Sequence, residues 1–390
     1  MARIGLALSG GGSRAMAFHL GCLRALNDYR LLTSVSTLSS VSGGSVIAAL
    51  YAYSDDPFDE FDERVSAILR KGLVTGIARH TILSPETLRI GLAVMSSGAA
   101  ALVGLPLRLL GAALRSAGLS SAETDAFLRK AQSPIPRLAS RSTAFRRYLD
   151  HSLFDGKSVA EVARPDLDVV INATELRTGT AFRYGNEESG CWRYGRLAGA
   201  TPSVAQAVAS SACYPILLPS FDQRLDFERN GETHRRRVII TDGGIYDNLA
   251  ITPLLPGRSA IYSTNAKSAD FIIACDAGQG LLSGTERPQL WHDRMISAMS
   301  TTHRRTHQLS YKILHDLKSA GTLQGFLLPH LGQNDAKLPV RPADLVPREQ
   351  VIDYPTDFRA MSQSNLDLIA GRGEQLTRIL IEQYGVEGAA

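Results

Sequence analysis

The sequence predicts an α/β fold, in which short buried strands lead through glycine-rich turns into helices. Residues 4–8, Ile-Gly-Leu-Ala-Leu, are apolar and bounded by turn formers, as expected for a buried strand. A second strand ends near residue 41, and a third is predicted at residues 237–241. With 390 residues, 44% of them hydrophobic, the chain can form one large core and carry an insertion.

The turn after the first strand is Ser9-Gly10-Gly11-Gly12-Ser13-Arg14, and residues 15–26 have a helical pattern. Glycines permit positive φ angles, and a turn that opens a helix presents free N–H groups to an anion. A dinucleotide fingerprint would need an acidic residue about 20 positions later, and residues 31–45 contain none. A phosphate-binding P-loop would need Gly-Lys-Ser/Thr, where this chain has Gly-Ser-Arg. The pattern therefore disfavours both nucleotide sites.

The second turn, Ser40-Val41-Ser42-Gly43-Gly44, joins a strand end to the helical residues 46–52. A nucleophile elbow normally has the sequence Gly-x-Ser-x-Gly, because the sharp turn crowds its neighbours. Here Ser40 stands at the first glycine position, whereas Gly44 is present. The alternative is a Ser/Gly-rich loop with a helix-capping serine, and the motif alone does not separate the two.

A carboxylate follows the strand at residues 237–241, in the turn Asp242-Gly243-Gly244. Asp-Gly is an ordinary turn dipeptide, but ligands bind at the carboxyl ends of strands in α/β sheets. Asp276 ends the strand-like run 271–276 and is a weaker rival, because it lacks the Gly-Gly and Asn248 context. We therefore expect Asp242 to be the functional carboxylate.

No histidine lies in a motif that would complete a triad. His19 is expected to pack on the first helix, and His303 and His307, four residues apart, are expected to form a solvated helix face. No metal site is evident, because further ligands are lacking. A serine hydrolase without a placed histidine indicates a Ser–Asp dyad, here Ser42 and Asp242.

Four blocks in this order resemble the patatin-like phospholipase family. They are the glycine loop 10–15, the elbow 40–44, the Ala-Ser-x-x-x-Pro-like block 209–215, and Asp242-Gly243-Gly244 with Asn248 and Pro253. Asn172-Ala173-Thr174-Glu175 resembles the strand between them, and the matches cover residues 4–53 and 169–275. Ser40 and Ala15 depart from the family glycines, and since both are small we expect altered packing without loss of chemistry.

The resemblance implies a three-layer α/β/α fold with a helical insertion, and it assigns roles to the site residues. Ser42 would be the nucleophile and Asp242 the base. The oxyanion would be held by backbone N–H groups, drawn from Gly10, Gly11, Gly12, Ser13 and Gly43. Arg14 would either contact a lipid phosphate or be a surface arginine on the first helical turn. No cofactor and no metal are implied.

The same resemblance implies a lipid acyl hydrolase that cleaves ester bonds of membrane phospholipids. One alternative is an esterase or lipase acting on neutral or soluble esters. A second is a non-catalytic lipid- or partner-binding protein on the same fold, against which the intact Ser42 and Asp242 argue. A latent state released by an unknown activator is a further hypothesis.

We expect residues 1–390 to form a single catalytic domain with a helical insertion at 55–155 and a C-terminal helical part at 285–390. Long helices are predicted at 289–320 and 359–384. Within the insertion, residues 90–107 carry no charge. They are interpreted as a buried hairpin, as a lid or membrane-contact element, or, least in keeping with their glycines and Pro106, as a membrane span.

Charge and cysteine content indicate a cytoplasmic protein that binds no nucleic acid. Lys and Arg number 42 against 38 Asp and Glu, and a net charge of +4 is too small to imply nucleic acid. Cys22, Cys191, Cys213 and Cys275 form no CxxC pair, so free core thiols in a reducing compartment are predicted. No secretory signal is predicted. The expected partners are phospholipid and, transiently, the membrane surface as a peripheral site.

Overall fold

The computed structural model describes residues 2–82, 106, 109–117, 121, 123–124, 140–215, 218–259, 261–280 and 289–386. Apart from Pro106, the uncharged segment 90–107 lies outside the described residues. No helix in the described part of the chain is both long and apolar enough to cross a membrane.

Ten strands and nine α-helices are described. The strands are β1 Ile4–Leu8, β2 Val35–Val41, β3 Asp168–Glu175, β4 Thr180–Gly185, β5 Ser189–Cys191, β6 Gly195–Leu197, β7 Phe221–Arg229, β8 Glu232–Asp242, β9 Phe271–Cys275 and β10 Gly325–Leu327. The helices are α1 Gly12–Asp28, α2 Gly43–Ala52, α3 Phe58–Lys71, α4 Leu73–Ile82, α5 Arg141–Leu149, α6 Val204–Ser211, α7 Gly244–Asp247, α8 Trp291–Ser319 and α9 Gln363–Tyr384.

The strands form one mixed sheet in the order β10-β9-β1-β2-β3-β4-β5-β6-β7-β8. The strands from β10 to β3 are parallel, and those from β3 to β8 are antiparallel. β8 also pairs with β3, where Ala173 lies opposite Asp242. This return pairing brings the carboxyl end of β8 to the end of the parallel half, where β1 and β2 also finish.

Helices cover both faces of the sheet. Alternate residues of β1 divide between two cores, with Leu6 and Leu8 in a cluster with α1 and α9, and Ala7 in a cluster with Leu314 of α8. Ile273 and Ile272 of β9 divide in the same way. Because neighbouring residues of a strand point to opposite faces, this division confirms the predicted three-layer α/β/α architecture.

Two glycines allow α1 and α9 to pack closely. A Cβ at Gly21 of α1 would lie 1.8 Å from the Ala370 carbonyl oxygen, and one at Gly373 of α9 would lie 2.2 Å from the Phe18 carbonyl oxygen. The two backbones therefore touch without intervening side chains. This contact fixes α1, which begins in the glycine loop, against α9.

The described parts of the two peripheral segments also join the core. α3 buries Phe61, Val65 and Leu69 along one face. The C-terminal segment 285–390 is not only helical, because it supplies the edge strand β10 next to β9. The sheet therefore contains strands from both the core and the C-terminal segment.

Candidate active site

Ser42 occupies the sharp turn between β2 and α2. Its φ of 52° and ψ of −124° are unusual for a residue with a side chain, and such strain persists only where the surroundings enforce it. Gly44 shows why the turn needs small residues, since a Cβ there would lie 2.4 Å from the Leu8 carbonyl oxygen. The turn has the strand-to-helix geometry of a nucleophile elbow.

Ser211, at the end of α6, holds the elbow in place. The Ser42 N–H donates to Ser211 Oγ over 2.9 Å, and Ser211 Oγ donates to the Asn172 carbonyl oxygen over 2.6 Å. Ser45 Oγ lies 2.8 Å from the same hydroxyl. The sequence placed Ser211 inside a recognised block but gave it no role, and the Ala-Ser pattern of that block was the available signal.

Asp242 ends β8 and is buried beside the elbow, with 3% of its surface exposed. Burial raises the pKa of its carboxyl to about 7, although hydrogen bonds from the Gly244 N–H and the Ser42 side chain oppose that rise. The Gly244 N–H lies 2.7 Å from Asp242 Oδ1. A carboxyl with this pKa can accept a proton near neutral pH, unlike a free aspartate.

The glycine loop meets the elbow directly. A Cβ at Gly43 would lie 2.6 Å from the Gly12 nitrogen, and one at Gly10 would lie 3.1 Å from Ser42 Cβ. Gly11 and Gly12 both have positive φ values, 146° and 59°. Glycine is therefore required here both for close approach and for backbone conformation.

The structure reduces the set of amides available for an oxyanion. The Gly10 N–H donates to the Asn248 carbonyl oxygen over 3.1 Å, and the Ser13 N–H donates to the Asp357 carbonyl oxygen over 2.7 Å. The prediction that these two amides serve the oxyanion is wrong, because both are already bonded. Within the described residues, the N–H groups of Gly11, Gly12 and Gly43 donate to no protein acceptor.

Arg14 is neither a surface arginine nor placed for a headgroup, so both predictions for it are corrected. Its side chain is buried, with Nε donating to the Ala277 carbonyl oxygen over 3.1 Å and an Nη donating to the Tyr354 carbonyl oxygen over 2.7 Å. Burial lowers the pKa of Arg14 to about 10, although the negative charge of Asp276 opposes this decrease. Arg14 thus ties two distant loops to the glycine loop.

Asp276, the rival carboxylate, lies in a separate buried cluster. Its carboxylate is 3.4 Å from His307 Nδ1 and 3.8 Å from His330 Nε2, and it accepts from the Tyr311 hydroxyl. Burial favours its neutral form, but the charges of His307 and His330 hold its pKa below the ordinary range. A carboxylate held as an anion by these partners is a poor proton acceptor.

The expectation that His303 and His307 form a solvated helix face is wrong. His307 points to Asp276, and His303 Nε2 donates to the Gly244 carbonyl oxygen. The N–H of the same residue, Gly244, donates to Asp242 Oδ1. His303 therefore bonds to the turn that carries the Asp242 carboxyl.

Comparison with known protein families agrees with this fold. Residues 6–255 match the sequence model of the patatin-like phospholipase family. That match covers more than half of the chain, so the chain belongs to this family.

One solved structure shows the same fold at low sequence identity, and a second is more weakly similar. Human GIVD cytosolic phospholipase A2 is 11% identical, with a TM-score of 0.51, and the match covers 97% of this chain and 61% of that one. VipD from Legionella pneumophila is 15% identical, with a TM-score of 0.37 and coverage of 98% and 66%. The chain thus spans about two thirds or less of these proteins. No curated protein sequence matches it.

Proposed function

We propose that this protein is a lipid acyl hydrolase that cleaves ester bonds of membrane phospholipids through a Ser42 acyl-enzyme. The observation that carries the proposal is the contact between Ser42, on its strained elbow, and the buried Asp242, whose pKa is about 7. Membership of the patatin-like phospholipase family supports the lipid substrate.

In the acylation step, Ser42 Oγ attacks the ester carbonyl carbon while Asp242 accepts the hydroxyl proton. The carbonyl oxygen becomes an oxyanion, for which the free N–H groups of Gly11, Gly12 and Gly43 are the donors. Collapse of the tetrahedral intermediate breaks the ester C–O bond, and protonated Asp242 returns the proton to the departing alcohol, a lysophospholipid.

In the deacylation step, the ionised Asp242 takes a proton from water, and the hydroxide attacks the acyl carbon of the Ser42 ester. The same amides hold the second oxyanion. Collapse of this intermediate breaks the bond between the acyl carbon and Ser42 Oγ, and protonated Asp242 returns the proton to Oγ, which restores the Ser42 hydroxyl as the fatty acid leaves. One carboxyl with a pKa near neutral pH can serve both steps, because it gains and loses a proton readily.

The test is fatty-acid release from phosphatidylcholine and phosphatidylglycerol vesicles by the wild type, Ser42→Ala and Asp242→Asn. We expect release by the wild type and a loss of at least about a thousandfold in both variants. Two matched controls should retain activity. They are Ser36→Ala, in the strand that leads to the elbow, and Asp226→Asn, at an exposed position of β7.

Labelling by a fluorophosphonate separates chemistry from substrate choice. Labelling of the wild type and Ser36→Ala but not Ser42→Ala would support Ser42 as the nucleophile. If the labelled enzyme hydrolyses short soluble esters and no vesicle lipid, the phospholipid assignment is wrong and the esterase alternative replaces it. An absence of labelling together with an absence of hydrolysis would refute the enzyme proposal and favour a binding protein.

A further inference from the structure

The structure brings together three buried side chains that are far apart in sequence. His19, Cys22 and Cys275 each offer one ligand atom, and these three atoms lie within 4.8 Å of one another. All three residues have 0% of their surface exposed. His19 and Cys22 are three residues apart on α1 and so share one helix face, while Cys275 ends the neighbouring strand β9.

The imidazole of His19 has one committed and one free nitrogen. Its Nε2 lies 2.9 Å from the Ser9 carbonyl oxygen, which can only accept, so Nε2 carries the proton. Its Nδ1 is buried and has no hydrogen-bond partner among the described residues. A buried acceptor without a partner is costly, and a metal ion would satisfy it. An N–H donated to a carbonyl from the other ring nitrogen is the usual arrangement of a metal-bound histidine.

From this geometry we propose that His19, Cys22 and Cys275 form a binding site for one thiophilic metal ion, Zn²⁺ or Cu⁺. Two sulfur ligands and one imidazole are the donor set that these ions prefer over Mg²⁺ or Ca²⁺. Around a zinc ion, ligand atoms lie about 3.5–3.8 Å apart, so small side-chain rotations would close the site.

Charge and ligand number separate the two ions. The charge of two thiolates and a neutral imidazole balances that of Zn²⁺, which favours zinc in a site sealed from water. Two soft thiolates and one imidazole can instead hold Cu⁺ with three ligands, whereas structural zinc sites almost always have four. Both ions would displace the thiol protons on binding, so the binding equilibrium releases protons to solvent.

The proposed ion would anchor the start of the glycine loop. Ser9 precedes the loop and accepts from His19, while its N–H donates to the Cys275 carbonyl oxygen over 3.1 Å and its Oγ accepts from the Ala277 N–H over 2.9 Å. A metal bound to His19 and Cys275 would therefore join α1, β9 and Ser9 in one unit. We expect its main effect on stability, because none of the three ligands takes part in the proposed ester chemistry.

The experiment measures metal content after expression of the full chain in media supplemented with zinc or with copper, the latter under reducing conditions. We expect about one ion per chain in one of the two preparations, and the preparation that retains the ion after desalting identifies it. Cys22→Ser and Cys275→Ser should each lose the ion. Cys191→Ser, which replaces an equally buried thiol elsewhere in the core, should keep it.

A second measurement protects the test against variants that fail to fold. Refolding of the wild type with Co²⁺ should give the near-ultraviolet absorption of a thiolate–cobalt bond, and the bound protein should melt several degrees higher than the metal-free protein. Metal-free wild type from both media without a cobalt signal would overturn the proposal. Equal metal content in Cys22→Ser, or a Cys22–Cys275 disulfide in freshly isolated protein, would overturn it as well.

Discussion

Asp242 and Asp276 have the same local structure but opposite electrostatic surroundings. Each ends or directly follows a strand and is buried, and each accepts from the N–H two residues later, over 2.7 Å from Gly244 and 2.8 Å from Gly278. The further partner of Asp242 is a serine hydroxyl, whereas Asp276 faces His307, His330 and Tyr311. The turn therefore positions each carboxyl, and the partners that are distant in sequence decide whether that carboxyl exchanges protons.

The largest expected effect is on activity. Asp242→Asn should lower the rate of ester cleavage about a thousandfold or more, because the proposed base is lost while the amide keeps the Gly244 hydrogen bond. Asp276→Asn should lower it far less, since Asp276 has no part in the proposed chemistry. Steady-state hydrolysis by both variants measures the contrast, and equal losses would show that it has no functional meaning.

The two variants should shift stability in opposite directions. Because the raised pKa of Asp242 makes its ionised form unfavourable in the folded state, Asp242→Asn should increase the free energy of unfolding at pH 8 by about 2–4 kcal/mol. Asp276→Asn should decrease it by about 3 kcal/mol, because it leaves buried histidines without their carboxylate. Urea unfolding measures both values, and a destabilised Asp242→Asn would contradict the raised pKa.

The pH dependence of stability has opposite signs at the two sites. A carboxyl whose pKa is raised by folding stabilises the fold at pH values below its unfolded pKa. For Asp242 the unfolded pKa is 3.8, and this contribution is lost as pH rises towards about 7. A lowered pKa stabilises the fold above 3.8, and for Asp276 this contribution is lost as pH falls below that value. Unfolding from pH 3 to pH 8 should therefore show less acid sensitivity in Asp276→Asn and a flatter curve between pH 4 and pH 7 in Asp242→Asn.

The pH dependence of hydrolysis is expected to show a change in kcat/KM of about tenfold per pH unit. If ionised Asp242 is the base, kcat/KM should rise about tenfold per unit below pH 7 and level off above it. The same limb should be present in Asp276→Asn at pH values where that variant stays folded. A limb near pH 4 would show that burial does not raise the pKa of Asp242 in the working enzyme.

The smallest expected effect comes from His303, which we expect to act as a positioning residue through its hydrogen bond to Gly244. His303→Ala should lower kcat about three- to tenfold with little change in KM. His303→Gln, which can still donate, should recover part of the loss, and His315→Ala on the exposed side of the same helix is the control. A loss confined to KM, or no rescue by glutamine, would contradict the positioning role.

The parts of the fold that were predictable are those set by neighbours in sequence. β1 lies where predicted, at 4–8, and β9, Phe271–Cys275, is one residue shorter than the predicted run 271–276, because short apolar runs between turn formers specify buried strands. The helices predicted at 289–320 and 359–384 are found at Trp291–Ser319 and Gln363–Tyr384. The elbow at Ser42 and the turn at Asp242 followed from small residues within a few positions.

The predictions that failed depend on partners far along the chain. The sequence placed Arg14 on a first helical turn, where a surface position was one expectation. In the fold, its side chain donates to the carbonyl oxygens of Ala277 and Tyr354. His307 was expected to be solvated, but the fold places it beside Asp276. The Ser13 amide is occupied by Asp357, which no local pattern could indicate. Local spacing cannot show which buried group will meet another.

The contacts of the glycine loop with the C-terminal segment bear on the timing of synthesis. Arg14 and Tyr354 are separated by 340 residues, and Gly12 packs against the Asp357 backbone. A nascent chain therefore exposes Ser42 and its turn long before the segment that orients the loop has left the ribosome. The proposed ester-cleaving activity would therefore begin only after residues 354–357 have been synthesised, so shorter nascent chains would not yet cleave membrane lipids.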